Sequence, residues 1–555
     1  MCGILFNTLN AENEIFKQFD KIKHRGPDNS SYKIINNKFL GCHRLSIINQ
    51  NETGNQPLEL NGVFLICNGQ IYNYIELATQ FNINPSDLRS DVDIILFLYD
   101  KYIDNFHELV NLLDGDFAFV LYNSNIDVIY ISRDIVGVRP LFYSKNCIDG
   151  NIIGISSEIK ALTNSNDVKI EVFEPGKLIE YDFNNHSIEE CYYMEQCQEM
   201  NIVNLLKKAV IKRIENSERP VAFLCSGGLD SSIILCIAYE YLKKNNRDLH
   251  VFSMKYIDKN GNCNSEDEFY CKKLIELLDV KYTSITYNFE DVIKNIDIVI
   301  YQTETYDPNT IRTSIANYLL AKKIKETTDY KVFLSGEGAD ELFCGYLYFN
   351  QAKNGTEINK ESERLVKNIH MFDILKADRS FNAFGLEVRV PFLDKQFITY
   401  IKSIDGKFKA FNNSIEKNLL RVAFKKIYPV LTEARIIDRA KERFSDGVSF
   451  NYVPDLLNYC CNYELSILNE KENSEKEYYK TIFNKYYPNL DHVIINRKLP
   501  EWCSNLKEVV KIDNTSTINN SFKTLFTNYN DMYNDMLKDL TPYDMSDSSL
   551  FSIIE

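Results

Sequence analysis

The rhythm of the chain changes near residue 200, and that change limits the folds open to it. Before this point the sequence is rich in short apolar runs that read as strands, among them Cys2–Phe6, Val63–Asn68, Phe117–Tyr122 and Asp127–Ser132. Asn123-Ser124-Asn125 reads as a hairpin turn between the last two. Helices are expected over about Glu12–Lys23 and Asp91–Tyr102, the second capped by Ser90. This mixture predicts an α+β layered domain ending near residue 190. After residue 200, strands and helices alternate. Val221–Cys225, His250–Lys255, Tyr282–Tyr287 and Lys331–Leu334 read as strands, with helices over Ser232–Lys244 and Asp267–Leu278. That alternation predicts a parallel sheet with right-handed crossovers and ligands at the carboxyl ends of its strands. Beyond about residue 360 the pattern is helical. From about residue 505 it is polar, and Tyr543–Glu555 is acidic and serine-rich.

Two loops stand at those carboxyl ends. Ser226-Gly227-Gly228-Leu229-Asp230-Ser231-Ser232 lies between a strand and a helix. Its glycines let backbone N–H groups turn toward an anion, the helix start adds partial positive charge, and the serines add donors. It is a pyrophosphate cradle but neither a Walker A loop nor a dinucleotide fingerprint. The alternative, a plain glycine turn with a cap, is weaker given the strand before and the helix after. Ser335-Gly336-Glu337-Gly338-Ala339-Asp340-Glu341 places three carboxylates among two glycines. Carboxylates facing a phosphate cradle imply a cation between them, with Mg²⁺ the usual choice. Taken alone, the loop reads equally well as an exposed acidic turn.

Cys2 follows the initiator methionine directly. Methionine is normally trimmed before a residue this small, so the expected mature chain begins with a thiol and a free α-amine on one residue. With an ordinary pKa of about 7.7–8.0 the amine is partly neutral and can take the thiol proton. The bland alternative is that Cys2 only opens a buried strand.

Composition bounds the rest. The 555 residues are 45% apolar and 25% charged, ordinary for a globular chain of two or three domains. No apolar run reaches the roughly 20 residues that span a bilayer, and there is no secretory signal, so no membrane partner and a cytoplasmic location are expected. The net charge of −15 argues against a broad nucleic-acid surface. The fourteen cysteines show neither CxxC pairs nor zinc-ligand spacing and read as reduced thiols.

Several motifs, in order, then carry a resemblance. They begin with Met1-Cys2-Gly3-Ile4, His24-Arg25-Gly26-Pro27-Asp28, His43-Arg44-Leu45-Ser46-Ile47, Asn68-Gly69-Gln70-Ile71-Tyr72-Asn73 and Ser90-Asp91. Arg133-Asp134 with Gly137 and Pro140-Leu141 follow, then the two loops, Glu304-Thr305-Tyr306-Asp307, the run Gly385 to Asp394, and Lys441 to Gly447. Each is weak alone; their joint order is highly specific. The chain resembles the glutamine-hydrolysing asparagine synthetases over some four-fifths of its length.

The resemblance implies an α+β Ntn-hydrolase-type layered sandwich with class II glutamine amidotransferase activity over residues 1–190. It implies an α/β parallel-sheet ATP-pyrophosphatase domain with a helical C-terminal part over 200–520, and a peripheral tail over 521–555. It implies that Cys2 attacks glutamine and releases ammonia, with Asn68 and the Gly69 N–H as the oxyanion hole. Arg44, Leu45, Ser46, Ile47, Ile48, Gln70 and Asp91 join Asn68 and Gly69 around glutamine. Arg44 clamps the α-carboxylate and Asp91 pairs with the α-ammonium.

In the second half, Ser226, Gly227, Gly228, Leu229, Asp230 and Ser231 hold the ATP pyrophosphate by the same resemblance. Leu224, Met254, Ser335 and Gly336 line the adenosine. Glu337 serves the acyl-adenylate, Lys441 the α-phosphate, and Asp230 and Asp340 the Mg²⁺. ATP, aspartate and glutamine are the implied substrates, with ammonia passing through an internal tunnel, and a homodimer is implied by the family alone.

Three departures stand out. Gln70 replaces a usual Glu, which predicts weaker glutamine binding. Cys344 stands where glycine is common, and Pro308-Asn309-Thr310 differs near the presumed aspartate site. Rival readings are an amidotransferase of this scaffold acting on another carboxylate, and a catalytically degenerate nucleotide-binding sensor.

Overall fold

A computed structural model describes residues 1–8, 12–162, 167–192, 201–263, 265–409, 415–439, 449, 451–462 and 471–503. Two six-stranded sheets build the N-terminal part. The first runs β10-β8-β9-β1-β3-β2, with β1 Gly3–Thr8, β2 Asn29–Ile35, β3 Lys38–Arg44, β8 Phe142–Asn146, β9 Ile152–Ser156 and β10 Val168–Val172. The second runs β12-β11-β7-β6-β5-β4, with β4 Leu58–Leu60, β5 Val63–Ile71, β6 Gly115–Asn123, β7 Val128–Arg133, β11 Lys177–Asp182 and β12 Ser187–Tyr192. All their described pairings are antiparallel.

The alternation of side chains along a strand explains the layers. Ile4 and Phe6 of β1 meet Ile66, Val120 and Ile131 in the core between the sheets. Leu5 faces the opposite way, packing with Phe19 and Phe39. On β5, Val63, Leu65 and Cys67 turn outward under the helices Tyr74–Gln80, Ile94–Tyr99 and Phe106–Leu112. Ile66 therefore shares the inner face with Asn68 and Gln70, which places two amides at one end of the sandwich.

The C-terminal part is a five-stranded sheet in the order β15-β14-β13-β16-β17, every neighbouring pair parallel. Its strands are β13 Val221–Leu224, β14 His250–Ile257, β15 Lys281–Asn288, β16 Val332–Leu334 and β17 Glu387–Arg389. Sequence order runs outward in both directions from β13, so the switch point lies between β13 and β16. Both loops singled out in the sequence leave these two strands side by side.

Most expected elements are present, with shifted ends. The expected helix Ser232–Lys244 begins at Leu229, inside the cradle loop. The helix expected over Asp91–Tyr102 opens as a 3₁₀ turn, Asp91–Asp93, and becomes α-helical over Ile94–Tyr99. Ser90 does not cap it: its hydroxyl is buried without a hydrogen-bond partner. β17 lies in a stretch that reads as helical, because three buried residues carry no period of their own. Residues 505–555, including the expected tail, lie outside the described residues.

A layer of buried charge joins the two parts. Arg25 donates from Nη1 to Glu158 Oε1 at 2.6 Å and to Asp378 Oδ2 at 2.9 Å, while its Nε donates to the Cys2 carbonyl at 3.0 Å. Arg379 pairs with Glu158 at 2.6 Å and with Glu304 at 2.9 Å. Lys160 pairs with Glu158 at 2.5 Å. Glu304 also accepts the N–H groups of Ile159 and Lys160. Beside the layer, Gly385 takes φ +66 against Pro27, where a Cβ would approach the ring to 2.7 Å.

Removing one member of a buried network leaves its partners charged and uncompensated. Glu158→Gln should therefore destabilise the full chain by about 3–5 kcal/mol at neutral pH, read as a fall in the urea midpoint. A midpoint within error of the wild type would show that the layer contributes nothing net.

Candidate active sites

Cys2 sits at the end of the sandwich where β1 faces β5. Its N–H donates to Asn68 Oδ1 at 2.9 Å, and it is 6% exposed. Asn68 is wholly buried, and its Nδ2 has no hydrogen-bond partner. A buried donor without a partner costs on the order of 1–3 kcal/mol, so it marks a place for an acceptor brought from outside. Gly69 admits no side chain, since a Cβ there would lie 2.6 Å from both the Asp116 carbonyl and the Phe117 Cα. Met1 is present, and its ammonium pairs with Glu387 Oε2 at 2.8 Å.

Electrostatics favour the thiolate. A hydrogen bond from the Cys42 thiol is the main influence pushing Cys2 down to about 6; burial opposes it. The positive N-terminus, the Leu45 N–H and Arg44 lower it further. Burial, with the Cys2 sulfur, pushes Cys42 up.

Asp91 is 6% exposed and accepts the Ile71 N–H at 2.8 Å. Burial pushes its carboxyl up to about 7 despite that bond and the nearby Arg389. Gln70 Oε1 accepts from Arg389 Nη2 at 3.0 Å, and its Nε2 is buried without a partner. Arg44 is engaged within the protein. It donates to the carbonyls of Asn51, Ile48 and Asn49 and to Asn55 Oδ1, tying down the loop that carries Ile47 and Ile48. A cavity of about 380 Å³ opens beside this loop, lined among others by Ile48, Asn49, Tyr74, Leu88, Ser90 and Glu218. Leu45, Ser46 and Ile47 are buried on the same segment, with the Ser46 N–H held by Asp28 at 2.8 Å.

At the parallel sheet, the loop after β13 closes on itself. The Ser226 N–H reaches Ser231 Oγ at 3.3 Å, and the Gly228 N–H reaches Ser226 Oγ at 3.3 Å. Gly227 takes φ +71 against the helix Glu266–Leu278, where a Cβ would lie 2.5 Å from the Cys271 nitrogen. Gly228 is the N-cap of the helix Leu229–Lys244, so that helix start points into the loop. Gly336, after β16, lies back to back with this turn; a Cβ there would be 2.8 Å from the Ser231 nitrogen. The Ser335 N–H is held by the Arg389 carbonyl at 3.0 Å. Leu224 ends β13, and Met254 is buried on the neighbouring β14.

Asp230 and Asp340 converge from the two loops on one ammonium, that of Lys417. Glu337 lies 3.5 Å from Lys376, which is held by Asp373 at 2.7 Å. Lys441 lies outside the described residues. Cys344 takes φ +56, which explains why glycine suits that position. Pro308 opens the helix Pro308–Thr327, with Asp307 accepting the Thr310 N–H as its cap.

The structure thus brings Asn68 against Cys2, with Arg44 near enough to lower the pKa of its thiol, and brings Ser226 to Ser231, Gly336, Asp230 and Asp340 together at the switch point. Sequence reading missed Cys42, Arg389 and Lys417. Cys42 was detectable only through the pairing of β1 with β3, and the other two only through contacts between distant segments.

A sandwich with a buried cysteine beside the unpartnered Asn68 Nδ2 is joined, in one chain, to a glycine- and serine-rich loop at a parallel-sheet switch point. Residues 1–213 match the glutamine amidotransferase domain family, and residues 201–361 and 350–505 match the asparagine synthase family. A probable glutamine-hydrolysing asparagine synthetase of Acanthamoeba polyphaga mimivirus is 34% identical over 560 residues, covering 91% of this chain and 98% of that protein. The glutamine-hydrolysing asparagine synthetase of Gallus gallus is 33% identical, covering 90% and 96%. The Arabidopsis thaliana asparagine synthetase 3 is 33% identical and covers 88% of each chain. The chain belongs to the glutamine-hydrolysing asparagine synthetase family.

The position of Cys42 generates a test. Cys42→Ala should move the midpoint of Cys2 alkylation by iodoacetamide from about 6 up toward the ordinary thiol value of about 8.5. The readout is the pH dependence of labelling of the N-terminal peptide, followed by mass spectrometry. An unmoved profile would show that Cys42 does not set the acidity of Cys2.

Proposed function

We propose that the chain makes asparagine from aspartate, using ATP and nitrogen taken from glutamine. The observation that carries this reading is the placement of Cys2 against Asn68, whose Nδ2 has no partner, in the same chain as the paired loops at the switch point. Residues 1–190 form the glutaminase and residues 200–520 the synthetase.

At the first site the Cys2 thiolate attacks the glutamine carboxamide carbon. The carbonyl becomes an oxyanion, received by Asn68 Nδ2 and the Gly69 N–H, whose fixed donors favour charge that exists only at that stage. The C–N bond breaks, ammonia leaves, and water hydrolyses the thioester to glutamate. Trimming of Met1 frees the Cys2 α-amine as base and leaves Glu387 to its arginine partners. Asp91 takes the substrate ammonium. Its carboxyl sits at about 7, so it is charged above that pH and loses its hold on glutamine as pH falls below it. Arg44, Leu45, Ser46, Ile47 and Ile48 form the wall toward the α-carboxylate. Gln70, its oxygen engaged by Arg389, offers this pocket a donor where a glutamate would offer charge, so glutamine should bind more weakly than with a glutamate there.

At the second site Ser226 to Ser231 hold the ATP pyrophosphate, and Leu224, Met254, Ser335 and Gly336 line the adenosine. The aspartate β-carboxylate attacks the α-phosphorus and pyrophosphate leaves. Ammonia then adds to the acyl carbon, Glu337 takes its proton, and AMP departs. Lys441 offsets charge on the α-phosphate. Asp230 and Asp340 fit a cation. They already converge on one in Lys417, and Asp230 Oδ1 is buried without a hydrogen-bond partner. They would hold Mg²⁺, which neutralises pyrophosphate charge when bound. Among the described residues no three His, Cys, Asp or Glu side chains form a metal group, so the remaining ligands would be phosphate oxygens and water. We place the enzyme in the cytosol as a homodimer. Among the described residues no helix is long and apolar enough to cross a membrane.

The test follows nitrogen. With ¹⁵N-amide glutamine, aspartate, ATP and Mg²⁺, labelled asparagine should form together with AMP and pyrophosphate. Cys2→Ala should abolish this, and added ammonia should restore it. Glutamate without asparagine would leave the glutaminase standing and assign the second site to another carboxylate.

A further inference from the structure

Lys417 is an unusually constrained lysine. Its side chain is 1% exposed, and its ammonium contacts Asp230 Oδ2 and lies 2.7 Å from Asp340 Oδ1. It takes φ +55 at the cap of the helix Asn418–Lys425, a left-handed conformation that costs energy for any side chain with a Cβ. The surroundings hold it there. Arg421 donates its N–H to the Lys417 carbonyl at 3.1 Å and its Nε to the Glu416 carbonyl at 2.8 Å, and its guanidinium reaches the carbonyls of Ile437 and Arg439. Gly345 leaves the necessary space, since a Cβ at that position would overlap both Asp340 Oδ1 and Lys417 Cε.

Strain maintained this way, with a buried ammonium delivered between two carboxylates, calls for a reason. Two carboxylates facing each other in a partly buried site repel without a counter-charge. Without it they could also take up a hard divalent ion, whose remaining ligands water can supply until nucleotide phosphates replace it. We propose that Lys417 is a placeholder cation that keeps Asp230 and Asp340 converged and keeps a bare metal ion out until a nucleotide brings one. The inference rests on the reading of Asp230 and Asp340 as the acidic pair of the ATP site. When metal and nucleotide arrive together, the ammonium turns from the carboxylates to a phosphate oxygen, a shift that the flexible lysine stem permits. Lys417 is thus a positioning residue, and metal and nucleotide bind as an obligate pair.

The test titrates the full-length protein with Mn²⁺ and reads free Mn²⁺ by electron paramagnetic resonance, without nucleotide and with α,β-methylene-ATP. The wild type should bind Mn²⁺ only when the nucleotide is present. Lys417→Met should bind one Mn²⁺ without nucleotide at least tenfold more tightly than the wild type, and should bind the Mn²⁺–nucleotide pair at least tenfold more weakly. Lys417→Arg should keep the exclusion of bare metal. Gly345→Ala, which drives Lys417 away from Asp340, should shift both values in the direction of Lys417→Met, with circular dichroism checking the fold of each variant. Bare-metal binding by the wild type, or Lys417→Met and Gly345→Ala behaving as wild type while the wild type binds the pair, would overturn the proposal alone. A wild type that binds no metal–nucleotide at all would overturn the ATP-site reading, and the proposal with it.

Discussion

Arg25 is the side chain on which the arrangement of the two halves depends. It is completely buried, it holds the carbonyl of Cys2, and its charge is met by Glu158 from its own half and Asp378 from the other. A buried guanidinium is costly unless its partners are fixed in place. Here each partner is itself shared: Glu158 with Arg379 and Lys160, and Arg379 with Glu304. The charges in this layer compensate one another across the contact between sandwich and parallel sheet. The backbone of the proposed nucleophile is therefore positioned in part by residues more than three hundred positions away.

The two proposed sites use opposite devices. Around Cys2 the protein supplies donors and leaves them unpartnered, as Asn68 Nδ2 and Gln70 Nε2 show. Oxygen atoms of a ligand would complete the site. At the switch point the excess is of carboxylates, held together by a lysine of the protein itself. Between the two lies β17. Glu387 meets the N-terminus of the chain, Arg389 reaches Gln70 with its side chain, and the Arg389 carbonyl holds Ser335 of the acidic loop. A strand of three residues thus touches both sites.

Much of this was legible in the sequence. Short apolar runs announced β5, β6 and β7, and the strand–glycine–helix pattern announced the cradle and its parallel sheet. What could not be read has a common physical cause. β17 is too short to show a period. The Arg25–Asp378 and Arg389–Gln70 pairs join segments whose proximity exists only after folding. Ser90 has the composition of a cap, but the chain enters a 3₁₀ turn there and its hydroxyl is left without a partner. Arg44 stands in its expected motif, yet in the structure its guanidinium organises the loop beside it. Lys417 gave no sign at all, since a lysine next to a glutamate reads as a solvated surface pair.

The central claim is that the two sites work as one unit, so that nitrogen freed at Cys2 reaches the second site inside the protein. The most direct measurement is an isotope competition: ¹⁵N-amide glutamine with aspartate and ATP, in the presence of excess unlabelled ammonium, with the label in asparagine read by mass spectrometry. Asparagine should stay predominantly labelled while the bulk ammonium is unlabelled. Asparagine diluted to the isotopic ratio of the bulk would show that ammonia escapes to water before it is used, and would contradict the coupling.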